Sequence, residues 1–148
     1  MYKEHKVVLF FISFCCGILS YIFKVDYSII ASEGITVVSI VLVIYMTSFS
    51  GLVSSKLANK MYRKEDKRII GKSQLGVLKN YLNAAVGICI VNITVGCITL
   101  ILDSLIGEMQ KNNIYSMIYA FGTCTLAVNL LFMFLLFRFM VNRQLWDD

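Results

Sequence analysis

The chain has 148 residues, of which 58% are hydrophobic and only 16% are charged, and its formal net charge is +5. Soluble domains are typically about 25% charged, so this composition excludes an ordinary soluble globular protein. A mean hydropathy of +0.74 predicts a membrane protein, and the length predicts one domain.

Four apolar stretches are long enough, or nearly long enough, to cross a bilayer, which takes about 20 residues of helix. They occupy residues 7–23, 31–53, 81–102 and 114–140. We therefore predict an all-α integral membrane protein with four spanning helices, which form a single transmembrane domain over residues 1–148. The one long loop, residues 54–80, is basic and too polar to enter the membrane.

The charges of the loops predict that both termini are cytoplasmic. The N-terminus, the long loop and the C-terminus together carry twelve Lys and Arg residues and five Asp and Glu residues. The two short outer loops carry two Lys and Arg residues and four Asp and Glu residues. Because basic residues are retained on the cytoplasmic side, an even number of spans with both termini inside satisfies this distribution.

The second span carries a row of small hydroxyl side chains. Their positions advance by three or four residues, and at about 100° per residue they stay within roughly 60° of one line along a helix. This hydroxyl stripe consists of Ser32, Thr36, Ser39, Val43, Thr47, Ser50 and Ser54, of which only Val43 is apolar. Two interpretations are open: small polar residues let membrane helices pack closely, or the stripe lines a water-filled pore.

A protomer of four short helices is too small to enclose a pore, so a pore requires several copies around an axis. One striped helix from each subunit then lines the central path. An apolar group interrupts the polar line near its middle, and a ring of apolar side chains closes a pore by dewetting. The predicted gate residues are Ile40, Val43 and Ile44.

The basic loop contains seven candidate residues for binding a ligand or lipid: Lys56, Lys60, Arg63, Lys64, Lys67, Arg68 and Lys72. The ordinary interpretation is a topology signal that also attracts anionic lipid, at about 1 kcal/mol per basic residue. The alternative is a surface for a cytoplasmic polyanion such as a nucleotide or an oligonucleotide. Residues 56–62 continue the second span without a helix breaker, and Gly71 and Gly76 predict turns.

The polar residues inside the spans do not suggest an enzyme. Asn92 and Asn129 are predicted to form interhelical hydrogen bonds, because an amide in hydrocarbon needs a partner; a place in an ion path is the alternative. The single histidine, His5, has no partner ligands nearby in the sequence. The five cysteines form no CxxC pair, so neither a metal site nor a cofactor is predicted.

In this layout the chain resembles small four-span membrane subunits of bacterial antiphage defence systems, among them the Rex exclusion membrane subunit, the Hailong effector channel and the Kiwa membrane subunit. The resemblance to the Rex subunit is carried by the serine- and threonine-rich second span, the basic stretch KLANKMYRK at 56–64 and the segment KNY at 79–81. It extends over most of the chain as topology and composition, without a diagnostic motif.

This resemblance implies a homo-oligomeric ion channel, with a tetramer favoured, that is held shut until a phage-linked cytoplasmic signal opens it. In the Hailong case a nucleotidyltransferase partner makes an oligonucleotide signal. We therefore expect a channel effector of abortive infection in the bacterial inner membrane, gated by a nucleotide or oligonucleotide. The alternative is a non-channel accessory or immunity membrane protein whose stripe binds a partner helix.

Overall fold

The computed structural model describes residues 2–66, 69–105 and 113–144, with side chains other than those at 57 and 139–144. Its described residues form five helices, and they contain one isolated β-bridge and no strand. The helices are α1 (Lys3–Ile22), α2 (Ser28–Val53), α3 (Lys56–Arg63), α4 (Gln74–Leu105) and α5 (Asn113–Gln144).

Four of these helices, α1, α2, α4 and α5, are long and apolar enough to cross a membrane. The predicted all-α fold with four potential spans is therefore confirmed, and this is the architecture of a multi-pass membrane protein. Many large apolar side chains on these helices are exposed, including Phe10, Ile40, Ile101 and Phe134. In a bilayer such side chains face lipid, so their exposure carries no hydrophobic penalty there.

Helices α4 and α5 form the centre of the bundle. Polar contacts pair Cys89 with Asn129 and Asn92 with Thr125. The residue numbers rise along one helix as they fall along the other, so the two helices are antiparallel. Helix α2 packs mainly on α4, and α1 packs on α5. The order across the bundle is therefore α1, α5, α4 and α2.

Helix α1 is held to α5 by small polar side chains. The Ser13 hydroxyl lies 2.8 Å from the Cys124 thiol, and the Ser20 hydroxyl donates to Thr123 Oγ1 at 3.2 Å. Between α1 and α4 there is instead an open groove of about 350 Å³, with Phe10 and Ile88 among its lining residues. The first helix therefore packs on α5, and this groove separates it from part of α4.

The loop between α1 and α2 is anchored by Tyr27, whose side chain is completely buried. Its ring lies directly over Gly122 of α5, and its hydroxyl lies near Gly34 of α2. The next residue of α2, Ile35, packs over Gly96 of α4. Glycines at these positions let the helices approach closely, which fixes the end of α2 nearest this loop.

At the other end of the bundle, α3 does not continue α2. Residues Lys56–Arg63 are helical, as the sequence suggests, but Ser55 has an extended backbone with ψ of 158° and separates α3 from α2. The expected continuation of the second span without a break is therefore wrong. Gly71 has a positive φ of 79° and lies in a turn, which confirms that prediction. Gly76 lies instead in the first turn of α4, where its N–H donates to the Ser73 hydroxyl. A serine cap here outweighs the weak helix preference of glycine.

Candidate functional site

The hydroxyl stripe lies on the outer face of α2. Its residues Ser32, Thr36, Val43, Thr47, Ser50 and Ser54 are exposed, and Ser39 is half-buried. The buried residues of α2 are Ala31, Gly34, Val38, Val41 and Tyr45. At 100° per residue the two sets lie on nearly opposite faces of the helix. Apart from the half-buried Ser39, the stripe therefore takes no part in the packing within one protomer.

Several stripe hydroxyls are hydrogen-bonded to the helix that carries them. Thr36 donates to the Ser32 carbonyl at 3.0 Å, Thr47 to the Val43 carbonyl at 2.9 Å, and Ser54 to the Gly51 carbonyl at 3.0 Å. Such bonds satisfy the hydroxyl donor without a partner from outside. The oxygen of each hydroxyl keeps capacity to accept a further bond, from water or from another chain.

The predicted gate residues form an apolar patch on the same exposed surface. Ile40, Val43 and Ile44 are 56%, 61% and 46% exposed. Ile44 also borders an apolar cavity of about 110 Å³ between α2, α4 and α5, together with Tyr45 and Phe137. The apolar patch and this cavity therefore share the side chain of Ile44.

The basic loop is folded rather than extended. Its helix α3 places Ala58 and Met61 against the bundle, where both are buried. The cations Lys56, Lys60, Arg63, Lys64 and Lys72 are all exposed. The two other predicted basic residues, Lys67 and Arg68, lie outside the described residues. Helix α3 is therefore amphipathic, with its apolar side chains against the bundle and its cations in solvent.

Beyond α3, the chain turns back in a short hairpin. The Asp66 N–H donates to the Lys72 carbonyl at 2.8 Å, and the Gln74 N–H donates to the Lys64 carbonyl at 3.1 Å. Asp66 is buried, and its carboxylate accepts from the Ile69 N–H at 3.1 Å and from the Tyr2 hydroxyl at 2.7 Å. This carboxylate therefore ties the basic hairpin to the start of the chain.

A cluster of rings continues this connection into α4. The Tyr2 N–H donates to the Tyr81 hydroxyl at 3.0 Å, and that hydroxyl lies 2.6 Å from His5 Nδ1. The rings of Tyr2, His5 and Tyr81 meet edge to face. The sequence offered no signal for this cluster, because His5 and Tyr81 are 76 residues apart and neither is part of a motif.

Replacement of Asp66 by Ala is expected to loosen the hairpin. Charge-assisted hydrogen bonds contribute about 2 kcal/mol each, and the variant loses those from Tyr2 and Ile69. Trypsin should cleave the basic loop of Asp66→Ala several times faster than that of the unsubstituted chain. Glu65→Ala is the matched control, since Glu65 is exposed. Equal cleavage rates for the two variants would show that the Asp66 carboxylate does not anchor the loop.

A polar seam lies between α4 and α5 near the middle of the bundle. The Asn92 amide donates to Thr125 Oγ1 at 2.8 Å and approaches the Gly122 carbonyl at 3.4 Å. The Cys89 thiol donates to Asn129 Oδ1 at 3.0 Å. Both asparagines are buried and link the two helices. Asn92 Oδ1 and Asn129 Nδ2 have no further hydrogen-bond partner among the described residues.

Within the described ranges, no group of three or more His, Cys, Asp or Glu side chains is arranged to hold a metal ion. The three features above, namely the stripe, the folded basic loop and the polar seam, are the candidates for function. In comparisons with known proteins, no family model, no curated protein and no solved structure matches the chain.

Proposed function

We propose that this protein is the channel-forming membrane subunit of a bacterial antiphage defence system. Several copies, four by analogy with the resembling channels, surround a pore lined by the hydroxyl stripe of α2. Both termini and the basic loop face the cytoplasm of a cell whose inner membrane contains the channel. A nucleotide or oligonucleotide signal at the basic loop opens the pore, and the resulting depolarisation stops growth.

The observation that carries this proposal is the position of the stripe. Its hydroxyls lie on the face of α2 that is turned away from the core of the protomer. Only water, lipid, another copy or another protein can contact them there. Exposed hydroxyls along a whole spanning helix are the side-chain chemistry of a water-filled path, and a cyclic assembly brings one such helix from each subunit to the axis.

The apolar patch at Ile40, Val43 and Ile44 supplies the closed state in this proposal. A ring of these side chains at the pore axis excludes water and stops ion flow. Substitution of Val43 by serine makes the stripe continuous from Ser39 to Thr47. The ring then holds water, and the pore loses its main barrier.

Val43→Ser is therefore expected to leak. Ion flux through liposomes containing the variant should rise about tenfold or more, which corresponds to removal of at least ~1.4 kcal/mol of barrier. Cells that express it should lose membrane potential and stop growing. Val37→Ser is the control, because Val37 is also exposed on α2 but lies a third of a turn from Val43. If both variants keep the resting flux, the gate assignment is wrong.

A second function is favoured by the hydrogen bonds of the stripe. Since Thr36 and Thr47 satisfy their donors on their own helix, the stripe is also suited to a dry contact with a partner helix. The protein is then an accessory or immunity subunit without a pore. In this case the exposed apolar patch is part of the partner's binding surface.

Thr47→Cys separates the two functions. In a channel, oxidation links copies of the variant to one another beyond the background set by its own five cysteines, and a water-soluble thiol reagent blocks the linkage. In an accessory subunit, the cysteine links to a different protein and is shielded from the reagent. Neither pattern is expected if the stripe faces only lipid.

A further inference from the structure

A cavity of about 420 Å³ opens between α3 and the start of α4. It is lined by Lys60, Met61, Arg63, Lys64 and Gln74, and we call it the cationic pocket. Three of the five lining residues are cations, and none is a carboxylate. The one acidic side chain of this hairpin that is buried, Asp66, is engaged with Tyr2. The lining of the pocket therefore supplies positive charge and contains no carboxylate.

Gln74 distinguishes this pocket from an ordinary basic surface. It is only 1% exposed, and its amide Nε2 has no hydrogen-bond partner among the described residues. Buried polar groups in native proteins are almost always paired. An unpaired buried donor loses its hydrogen bonds to water without replacing them, and this desolvation destabilises the fold. A buried donor beside three cations is a feature of a site for an acceptor-rich anion.

The helix that begins at Gln74 adds to the positive electrostatic potential of the pocket. Helix α4 is 32 residues long, and the positive end of its dipole lies at the pocket. The N–H groups of Gln74 and Gly76 are already bonded to the Lys64 carbonyl and the Ser73 hydroxyl. An anion is therefore held by side chains, while the helix contributes its dipole.

We propose that the cationic pocket binds a phosphate-ester group. A tetrahedral phosphate offers several acceptor oxygens, which match the guanidinium fork of Arg63, the ammonium group of Lys60 and the Gln74 amide. A carboxylate or a chloride ion would leave most of these donors unused. The pocket adjoins the end of a spanning helix, so the phosphate belongs either to an anionic phospholipid of the bilayer surface or to a soluble nucleotide.

This inference deepens the proposed function. Phosphate binding at the pocket does not depend on that function, but the effect of the bound phosphate on ion flow does. The pocket joins α3 to the first residue of α4, and α4 packs along the striped helix α2. A phosphate that draws α3 toward Gln74 changes the position of α4 relative to α2. The bound group is therefore placed to shift the equilibrium between closed and open pores.

Binding is tested on the purified full chain in a neutral detergent by titration calorimetry. The probes are dihexanoyl phosphatidylglycerol, dihexanoyl phosphatidylcholine and adenosine monophosphate. Arg63→Gln should lower the affinity for the bound probe about tenfold or more, because the loss of one hydrogen bond between charged groups weakens binding by about that factor. Lys72→Gln, which removes an exposed cation outside the pocket lining, should change it less than twofold. Gln74→Leu should also weaken binding.

Each outcome bears on the proposal. Binding of phosphatidylglycerol alone assigns the pocket to a lipid headgroup, and binding of adenosine monophosphate assigns it to a soluble phosphate. Equal losses for Arg63→Gln and Lys72→Gln would mean diffuse attraction by net charge and would overturn the site. Unchanged binding by a folded Gln74→Leu would overturn the role of the amide. Because Arg63 is exposed, its variant tests the site even if Gln74→Leu does not fold.

Flux measurements separate this inference from the proposed function. If the pocket binds a probe but no variant conducts ions in liposomes, the proposal of a phosphate site is supported and the proposal of a channel is wrong. If Val43→Ser conducts ions and no phosphate probe binds, the proposal of a channel is supported and the proposal of a phosphate site is wrong.

Discussion

Gly122→Ala is expected to lower the stability of the bundle by about 3 kcal/mol. A Cβ atom at Gly122 would lie 2.5 Å and 2.6 Å from two ring carbons of Tyr27. The Tyr27 side chain has no exposed surface, so the ring has no free space into which to move. Overpacking of this kind usually costs about 1–3 kcal/mol, and a rigid aromatic neighbour places this case at the upper end. Thermal unfolding in detergent measures the effect.

Gly87→Ala is the control for this variant. Gly87 is also a helical glycine, in α4, but a Cβ atom there meets nothing within 4 Å. Its unfolding temperature should stay the same or rise slightly, because alanine favours a helix over glycine by about 1 kcal/mol. If contact with the Tyr27 ring causes the loss of stability, Gly122→Ala should cause little further loss in a chain that already carries Tyr27→Ser. A full extra loss in the double variant would contradict the contact.

Asn92→Asp is expected to have a similarly large effect at neutral pH. The Asn92 side chain is completely buried near the middle of α4, and its amide donates to Thr125 Oγ1 at 2.8 Å. The substitution replaces this donor by an oxygen that faces the Gly122 carbonyl. An ionised carboxylate at the centre of a spanning helix costs about 3 kcal/mol, so the yield of folded protein in the membrane should fall sharply.

Asn80→Asp makes the same chemical change at an exposed position of α4. Asn80 lies at the basic end of the bundle, six residues after Gln74, where a new carboxylate stays close to water. Its yield and unfolding temperature should match those of the unsubstituted chain. Comparable losses for both variants would mean that the burial of Asn92 between α4 and α5 is not the reason for the effect.

Hydropathy was enough to predict the four long helices, because a spanning segment must be apolar over about 20 residues whatever its neighbours are. Their ends were harder to predict. Helix α4 begins at Gln74, well before the apolar stretch starts at residue 81. The Ser73 cap and the apolar residues Leu75, Val77 and Leu78 continue the helix beyond the membrane pattern, and a hydropathy window does not detect them.

The candidate sites depend on contacts between residues that are far apart in sequence. The stripe was visible because helical spacing places its members on one face, but its position opposite the core of the protomer required the packing of α2 on α4. Nothing in the sequence indicated that the Gln74 amide is buried, since a glutamine in a polar loop is expected to be solvated. Its burial results from the fold of α3 and the hairpin over the start of α4.

The pairing of α1 with α5 has a consequence for how the chain is made. Helix α1 leaves the ribosome first among the described helices, while its partner α5 is the last. Chains insert and fold from the N-terminal side during synthesis, so α1 enters the bilayer well before Ser13 and Ser20 can meet Cys124 and Thr123. Until then the side of α1 that packs on α5 faces lipid, as its apolar surface permits. Attachment of α1 to α5 is then a late step in the folding of one protomer, after all four potential spans have been synthesised.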